Sequence, residues 1–93
     1  QHGGSRSGRH RSAVSYPAAM RVGVQLVFQA YGYPDSVTDA QVYDEEVRLA
    51  VLADELGFSA LWPVEHHFED YSFCPDNFVY LAHLAALTKR IKL

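Results

Sequence analysis

Glu65, His66 and His67 stand in the run Trp62-Pro63-Val64-Glu65-His66-His67-Phe68, where an acid and two imidazoles follow a short apolar stretch. Imidazole exchanges protons near neutral pH, and a neighbouring carboxylate orients it or raises its pKa. Adjacent side chains on extended backbone diverge, so one of the two histidines is expected to face a reacting centre. Three uses are open to such a group. The pair can hydrogen-bond loop backbone and pack beneath Phe68. Glu65, His66 and His67, with Glu69 or Asp70, are ligand types for a metal, although the HExxH spacing that sets two imidazoles on one helix face is missing. The group can also move protons or stabilise an oxyanion.

Other chemistry-bearing residues are weaker candidates. His83 falls mid-helix near an apolar stripe and reads as a buried or half-buried structural residue. Cys74 precedes Pro75, nothing marks its thiolate as stabilised, and it reads as a buried or idle thiol. Gln25, Tyr31 and Tyr33 lie near the end of a first strand, where they line the same pocket or simply pack the loop. Gly32 stands alone after that strand, so no GxGxxG or P-loop fingerprint supports a nucleotide-binding Rossmann reading.

The elements that must position these residues alternate in type. Residues 22–28 (VGVQLVF) are short, β-branched and apolar, as in a strand buried in a parallel sheet. Residues 30–36 supply turn residues, and Thr38 with Gln41 forms a capping box for a helix over Asp39–Leu56. Its apolar stripe is Val42, Leu49, Ala53 and Leu56, flanked by Val47 and Ala50, with Asp44, Glu45, Arg48 and Asp54 on the other side. Gly57 ends the helix in a left-handed conformation, and residues 58–62 form a second buried strand with Trp62 anchored beneath the histidines. Residues 71–76 have turn chemistry. Asp76 caps a second helix over 77–88 with the stripe Phe78, Leu81, Ala82 and Ala85, and Ile91-Lys92-Leu93 opens a third strand. Strand, helix, strand is a βαβ unit, which places Glu65, His66 and His67 at the carboxyl end of its second strand, where α/β proteins hold their ligands.

Composition bounds the rest. The chain has 93 residues, 48% hydrophobic and 20% charged, a globular balance for one small domain or part of one. Residues 1–19 are rich in Gly, Ser and Arg and read as a disordered basic leader, with Met20 as the start of the ordered part. Arg6, Arg9 and Arg11 give that end +3, which leaves −6 for residues 21–93 out of the total of −3. An acidic body disfavours nucleic acid and anionic membrane surfaces and suits a small-molecule partner. The single cysteine excludes an internal disulfide, fits a reducing cytoplasm, and leaves no cysteine-based metal cluster. No apolar run approaches the roughly 20 residues of a membrane span. Two strands, two helices and the start of a third strand leave an open sheet edge and one uncovered face, so the chain is expected to be part of a larger unit.

Residues 56–62 (LGFSALW), Glu65-His66-His67-Phe68, Pro75-Asp76 and residues 87–93 (LTKRIKL), taken in order, resemble the opening third of the bacterial luciferase-like flavin-dependent monooxygenase family over about residues 20–93. The resemblance implies the N-terminal portion of a (β/α)8 TIM barrel, comprising two βα units and the start of the third strand. It implies FMN in reduced form, dioxygen as co-substrate, a separate flavin reductase, a small organic substrate, and a cytoplasmic homo- or heterodimer. It assigns His66 to the active site, in handling the flavin peroxide and its protons, and gives Glu65 and His67 a supporting role; Gln25 joins them as a substrate- or flavin-pocket residue from its place near the end of the first strand. Such barrels typically need about 250 residues and bind phosphate after their last strands, so residues 1–93 alone are expected to be inactive and not to bind flavin. Pro63-Val64 departs from the apolar pair common in the family and removes a ladder donor near the strand end. A deazaflavin-dependent oxidoreductase on the same barrel, and a non-catalytic barrel subunit or interaction fragment, are the competing readings.

Overall fold

The computed structural model describes residues 20–30 and 32–93; the leader expected over 1–19, and Tyr31, lie outside them. The elements run β1 (Gly23–Leu26), α1 (Asp39–Leu56), β2 (Ala60–Pro63) and α2 (Asn77–Leu87). β1 and β2 pair in parallel, with Gly23 opposite Ala60 and Gln25 opposite Trp62. The expected third strand is present only as a single parallel bridge between Lys92 and Ala60 on the other edge of β2: Leu61 N–H donates to the Lys92 carbonyl at 2.8 Å, and Lys92 N–H to that of Ser59 at 3.1 Å. β1 is shorter than the expected run 22–28, and β2 is displaced toward the rim from the expected 58–62 to Ala60–Pro63.

Capping fixes the helices where the sequence placed them. Thr38 N–H donates to Gln41 Oε1 at 2.8 Å while Thr38 Oγ1 accepts from Gln41 N–H, the reciprocal pair that satisfies two free amides of α1. Gly57 closes that helix at φ 87°, a backbone state that costs glycine nothing. Asp76 accepts from Val79 N–H at the start of α2.

The faces these helices bury differ from the expected stripes. On α1, Val42, Ala50, Ala53 and Asp54 are buried, whereas Leu49 and Leu56 are exposed. The two alanines let the helix lie close to the sheet. Leu49, Leu52 and Leu56 then flank a groove along the open edge of β1 with Val24 and Phe58. Asp54, expected on the polar side, is buried because its carboxylate accepts the N–H groups of Lys89, Arg90 and Ile91 at 2.8–2.9 Å. On α2 the buried residues are Tyr80 and Leu84, while Phe78, Ala82 and Ala85 face outward and only Leu81 of the expected stripe packs against the core. His83 is exposed, not buried. Tyr80 accounts for this roll of the helix: its ring meets Phe28 edge-on, centroids 4.7 Å apart.

The core thus lies on one side of the sheet, where Leu26, Phe28, Leu61 and Ile91 meet Ala50, Ala53, Tyr80 and Leu84. Alternation along the strands puts Gly23, Gln25 and Trp62 on the opposite face. Trp62, expected to be anchored, is 58% exposed there.

Candidate active site at the carboxyl rim of the sheet

Pro63 stays in β2, paired with Leu26. Leu61 N–H points to the third strand and Val64 N–H to β1, where it donates to the Leu26 carbonyl at 3.1 Å. By alternation the missing N–H of Pro63 lies on the third-strand side, so the proline costs no bond to β1. Its carbonyl accepts from Asn77 Nδ2 at 3.0 Å, which ties the end of β2 to the start of α2.

Beyond it the chain makes a closed excursion. Glu65 pairs with both Phe73 and Cys74, so residues 66–72 leave the sheet and return to nearly the same point. Ser72, wholly buried, donates its hydroxyl to the Val27 carbonyl at 2.6 Å, and Phe73 N–H donates to Phe28 O at 3.3 Å. Three non-glycine residues at this rim have positive φ: Phe28 at 50°, Phe68 at 59° and Ser72 at 52°. Each such residue costs on the order of 1–3 kcal/mol and persists only where its surroundings hold it. Such strain gathers at functional sites, and here Phe68 and Ser72 lie within the histidine loop and Phe28 beside its base.

The two histidines have different neighbours. His67 Nε2 lies 2.9 Å from the Pro75 carbonyl and 3.5 Å from Glu65 Oε1. The carbonyl only accepts, so that nitrogen carries the proton in this bond. The imidazole of His66 instead meets the ring of Tyr71 edge-to-face, centroids 5.3 Å apart and planes at 86°. Glu65, His66 and His67 are therefore brought together, but the acid serves the second histidine. Gln25 sits lower, on the uncovered sheet face opposite Trp62.

Beside the loop, a cleft of about 600 Å³ lies between the segments that follow β1 and β2. Tyr33, Phe68 and Phe73 line it together with Asp35, Asp39, Glu69 and Asp70. Tyr33 thus reaches this cleft. Among the described residues no three His, Cys, Asp or Glu side chains converge as a metal-ligand set.

Beneath the rim, burial raises the pKa of three ionisable groups. Burial, then the nearby Cys74 thiol, pushes Tyr43 up to about 12, and its hydroxyl donates to the Phe73 carbonyl at 2.8 Å. Burial likewise raises the Cys74 thiol, consistent with an inert side chain. Glu46, raised chiefly by burial, accepts from Phe28 N–H at 3.3 Å and so supports its strained backbone. The sequence reading missed Phe28, Glu46, Tyr71 and Ser72, since no local motif announces a left-handed phenylalanine or a ring contact across a loop.

Residues 20–93 match the sequence profile of the luciferase-like monooxygenases. Among curated proteins, the chain is 39% identical over 59 residues to the oxygenase component of flavin-dependent trigonelline monooxygenase from Acinetobacter baylyi, covering 63% of this chain and 16% of that protein. It is 28% identical over 60 residues to the alkanal monooxygenase alpha chain of Photorhabdus luminescens, covering 64% and 17%. Among solved structures it resembles the oxygenating constituent of 3,6-diketocamphane monooxygenase from Pseudomonas putida, a type II Baeyer-Villiger monooxygenase solved in complex with FMN. That likeness has a TM-score of 0.65 and 30% identity, over 80% of this chain and 20% of the other. The chain thus spans a sixth to a fifth of the length of these proteins. With the profile matched from Met20 to Leu93, the chain belongs to the luciferase-like monooxygenase family.

Proposed function

We propose that this chain is the N-terminal βα portion of the oxygenase component of a two-component flavin monooxygenase, which takes reduced FMN from a separate reductase and uses dioxygen on a small organic substrate. On this reading residues 20–93 belong to a (β/α)8 barrel, and the whole enzyme is a cytoplasmic dimer. The observation that carries the proposal is the Glu65-His66-His67 loop at the carboxyl end of β2, in a chain 30% identical to a protein solved with FMN.

The described residues fit one part of that cofactor. Trp62 and Gln25 on the uncovered face, and His66 at the rim, offer an apolar surface, an amide and an imidazole to an isoalloxazine ring. The described cations lie away from that rim: Arg21 precedes β1, Arg48 pairs with Glu45 on α1, and Lys89, Arg90 and Lys92 lie at the opposite end of the sheet, beside Asp54 and Ala60. FMN, when bound in reduced form, supplies the electrons that activate dioxygen. His66 holds or delivers a proton at a ring nitrogen. Glu65 and His67 fix the loop by the contacts to each other and to Pro75. The cleft's carboxylates and aromatic rings favour a neutral or cationic substrate over an anionic one.

The test is turnover by the full-length enzyme with NADH, FMN and a flavin reductase, on an aliphatic aldehyde, a cyclic ketone and trigonelline. His66→Ala should lower turnover of whichever is accepted by about 10²- to 10⁴-fold. Unchanged turnover would remove His66 from the chemistry, and no turnover of any of the three by the unmodified full-length protein would favour a non-catalytic barrel. Residues 1–93 alone should show no saturable, stoichiometric binding in a titration with FMN.

A further inference from the structure

His66 owes its position to more than its own backbone. The loop that carries it is closed at its base by the pairing of Glu65 with Phe73 and Cys74. Tyr71 sits at the return end, next to wholly buried Ser72, whose hydroxyl is bonded to the Val27 carbonyl at 2.6 Å. The backbone carrying one ring is therefore anchored just after β2 and that carrying the other just after β1, and the rings meet at 5.3 Å with planes at 86°. The Glu65 carboxylate cannot play this part, because its imidazole contact is with His67.

We infer that Tyr71 is the positioning residue of His66: its ring fixes the plane of the imidazole and so the direction in which the ring nitrogens present. This rests on His66 being the proton-handling group proposed above. Edge-to-face contact depends on ring faces and edges, so the effect on the imidazole plane is carried by the aromatic ring. Phenylalanine should therefore substitute for Tyr71, and leucine should not. Misplacing a catalytic group by about 1 Å costs on the order of 10²-fold in rate, which sets the size of the expected loss.

The experiment uses the full-length enzyme labelled at histidine, with the His66 ring signals assigned by their disappearance in His66→Gln. In the unmodified enzyme the two rings should show a nuclear Overhauser contact. Tyr71→Leu should abolish the ring-current shift on His66 and lower kcat about 10- to 100-fold with little change in KM. Tyr71→Phe should preserve both within about twofold, a margin well under the tenfold that 1.4 kcal/mol represents. Absence of the Overhauser contact overturns the inference without any variant having to fold. So does a Tyr71→Leu enzyme with unaltered His66 signals and kcat, or a Tyr71→Phe enzyme as impaired as Tyr71→Leu. If His66→Gln itself keeps full turnover, the functional reading fails, while the ring signals still report whether the contact exists.

Discussion

The indole of Trp62 lies across Gly23 on the sheet face opposite the helices, so close that a β-carbon on Gly23 would stand 2.0 Å from Cζ3 and 2.9 Å from the Ala60 carbonyl oxygen. Glycine is needed here for space, since its φ is ordinary. Gly23→Ala should destabilise the protein by about 1–3 kcal/mol, as overpacking does. Trp62→Leu in the same chain should recover part of that loss, because the two positions are in contact and couple by about 0.5–3 kcal/mol. Denaturant unfolding of the four proteins in the double-mutant cycle, followed by circular dichroism, measures the coupling; strict additivity would show that the indole does not occupy that space.

Asp54 joins α1 to the start of the third strand through three backbone N–H groups, and these hold its carboxyl below the ordinary value, with the nearby Arg90 charge a smaller contribution. A depressed folded pKa means that the unfolded chain binds the proton first as acid is added. The stabilisation is therefore complete above the ordinary carboxylate pKa and disappears as pH falls through the lower folded one. Asp54→Asn should reduce the thermal midpoint at pH 7, and the gap from the unmodified protein should close in strongly acidic buffer. A gap independent of pH from 7 to 2 would mean that the charge contributes nothing.

Glu46 has the opposite sign. Burial raises its carboxyl pKa despite the bond from Phe28 N–H, so the folded state keeps the proton to higher pH than the unfolded chain. Stability from this group falls as pH rises from the unfolded value through the folded one, where a charge must be held in a half-buried site. Glu46→Gln keeps an oxygen for Phe28 and removes the charge. It should raise the midpoint slightly at pH 7 and not at pH 4, as melting curves at the two values will show.

Backbone-level features were legible because local chemistry encodes them: the Thr38–Gln41 box, Gly57 and Asp76 set helix ends within a residue, and a parallel βαβ order followed from alternating periods. The order of segments around Glu65-His66-His67-Phe68 pointed to the family for the same reason. Which face each helix buries was not legible, because an apolar stripe states preference and the sheet decides fit. Ala50 and Ala53 allow an approach that Leu49 and Leu56 would block, and Asp54 is buried only because three amides 35 to 37 residues away need an acceptor. In the site, Tyr71 and Ser72 looked like ordinary turn residues; their roles depend on Val27 and His66, which no local pattern connects.

His67 binds the loop to the N-terminal end of α2 through a single side-chain bond, 2.9 Å to the Pro75 carbonyl, with the Glu65 carboxylate 3.5 Å from the same nitrogen. Removing it leaves Asn77 Nδ2 to Pro63 O as a second tie between the end of β2 and α2, so the fold should survive. A hydrogen bond in this setting contributes about 0.5–1.5 kcal/mol. His67→Ala should lower the opening free energy of residues 66–75, read by amide hydrogen exchange, by about that amount, and leave Leu61 and Leu84 amides protected. His67→Gln places an amide donor near the position of Nε2 and should restore most of the protection. If alanine and glutamine behave alike, the ring's bulk holds the loop and the Pro75 bond does not.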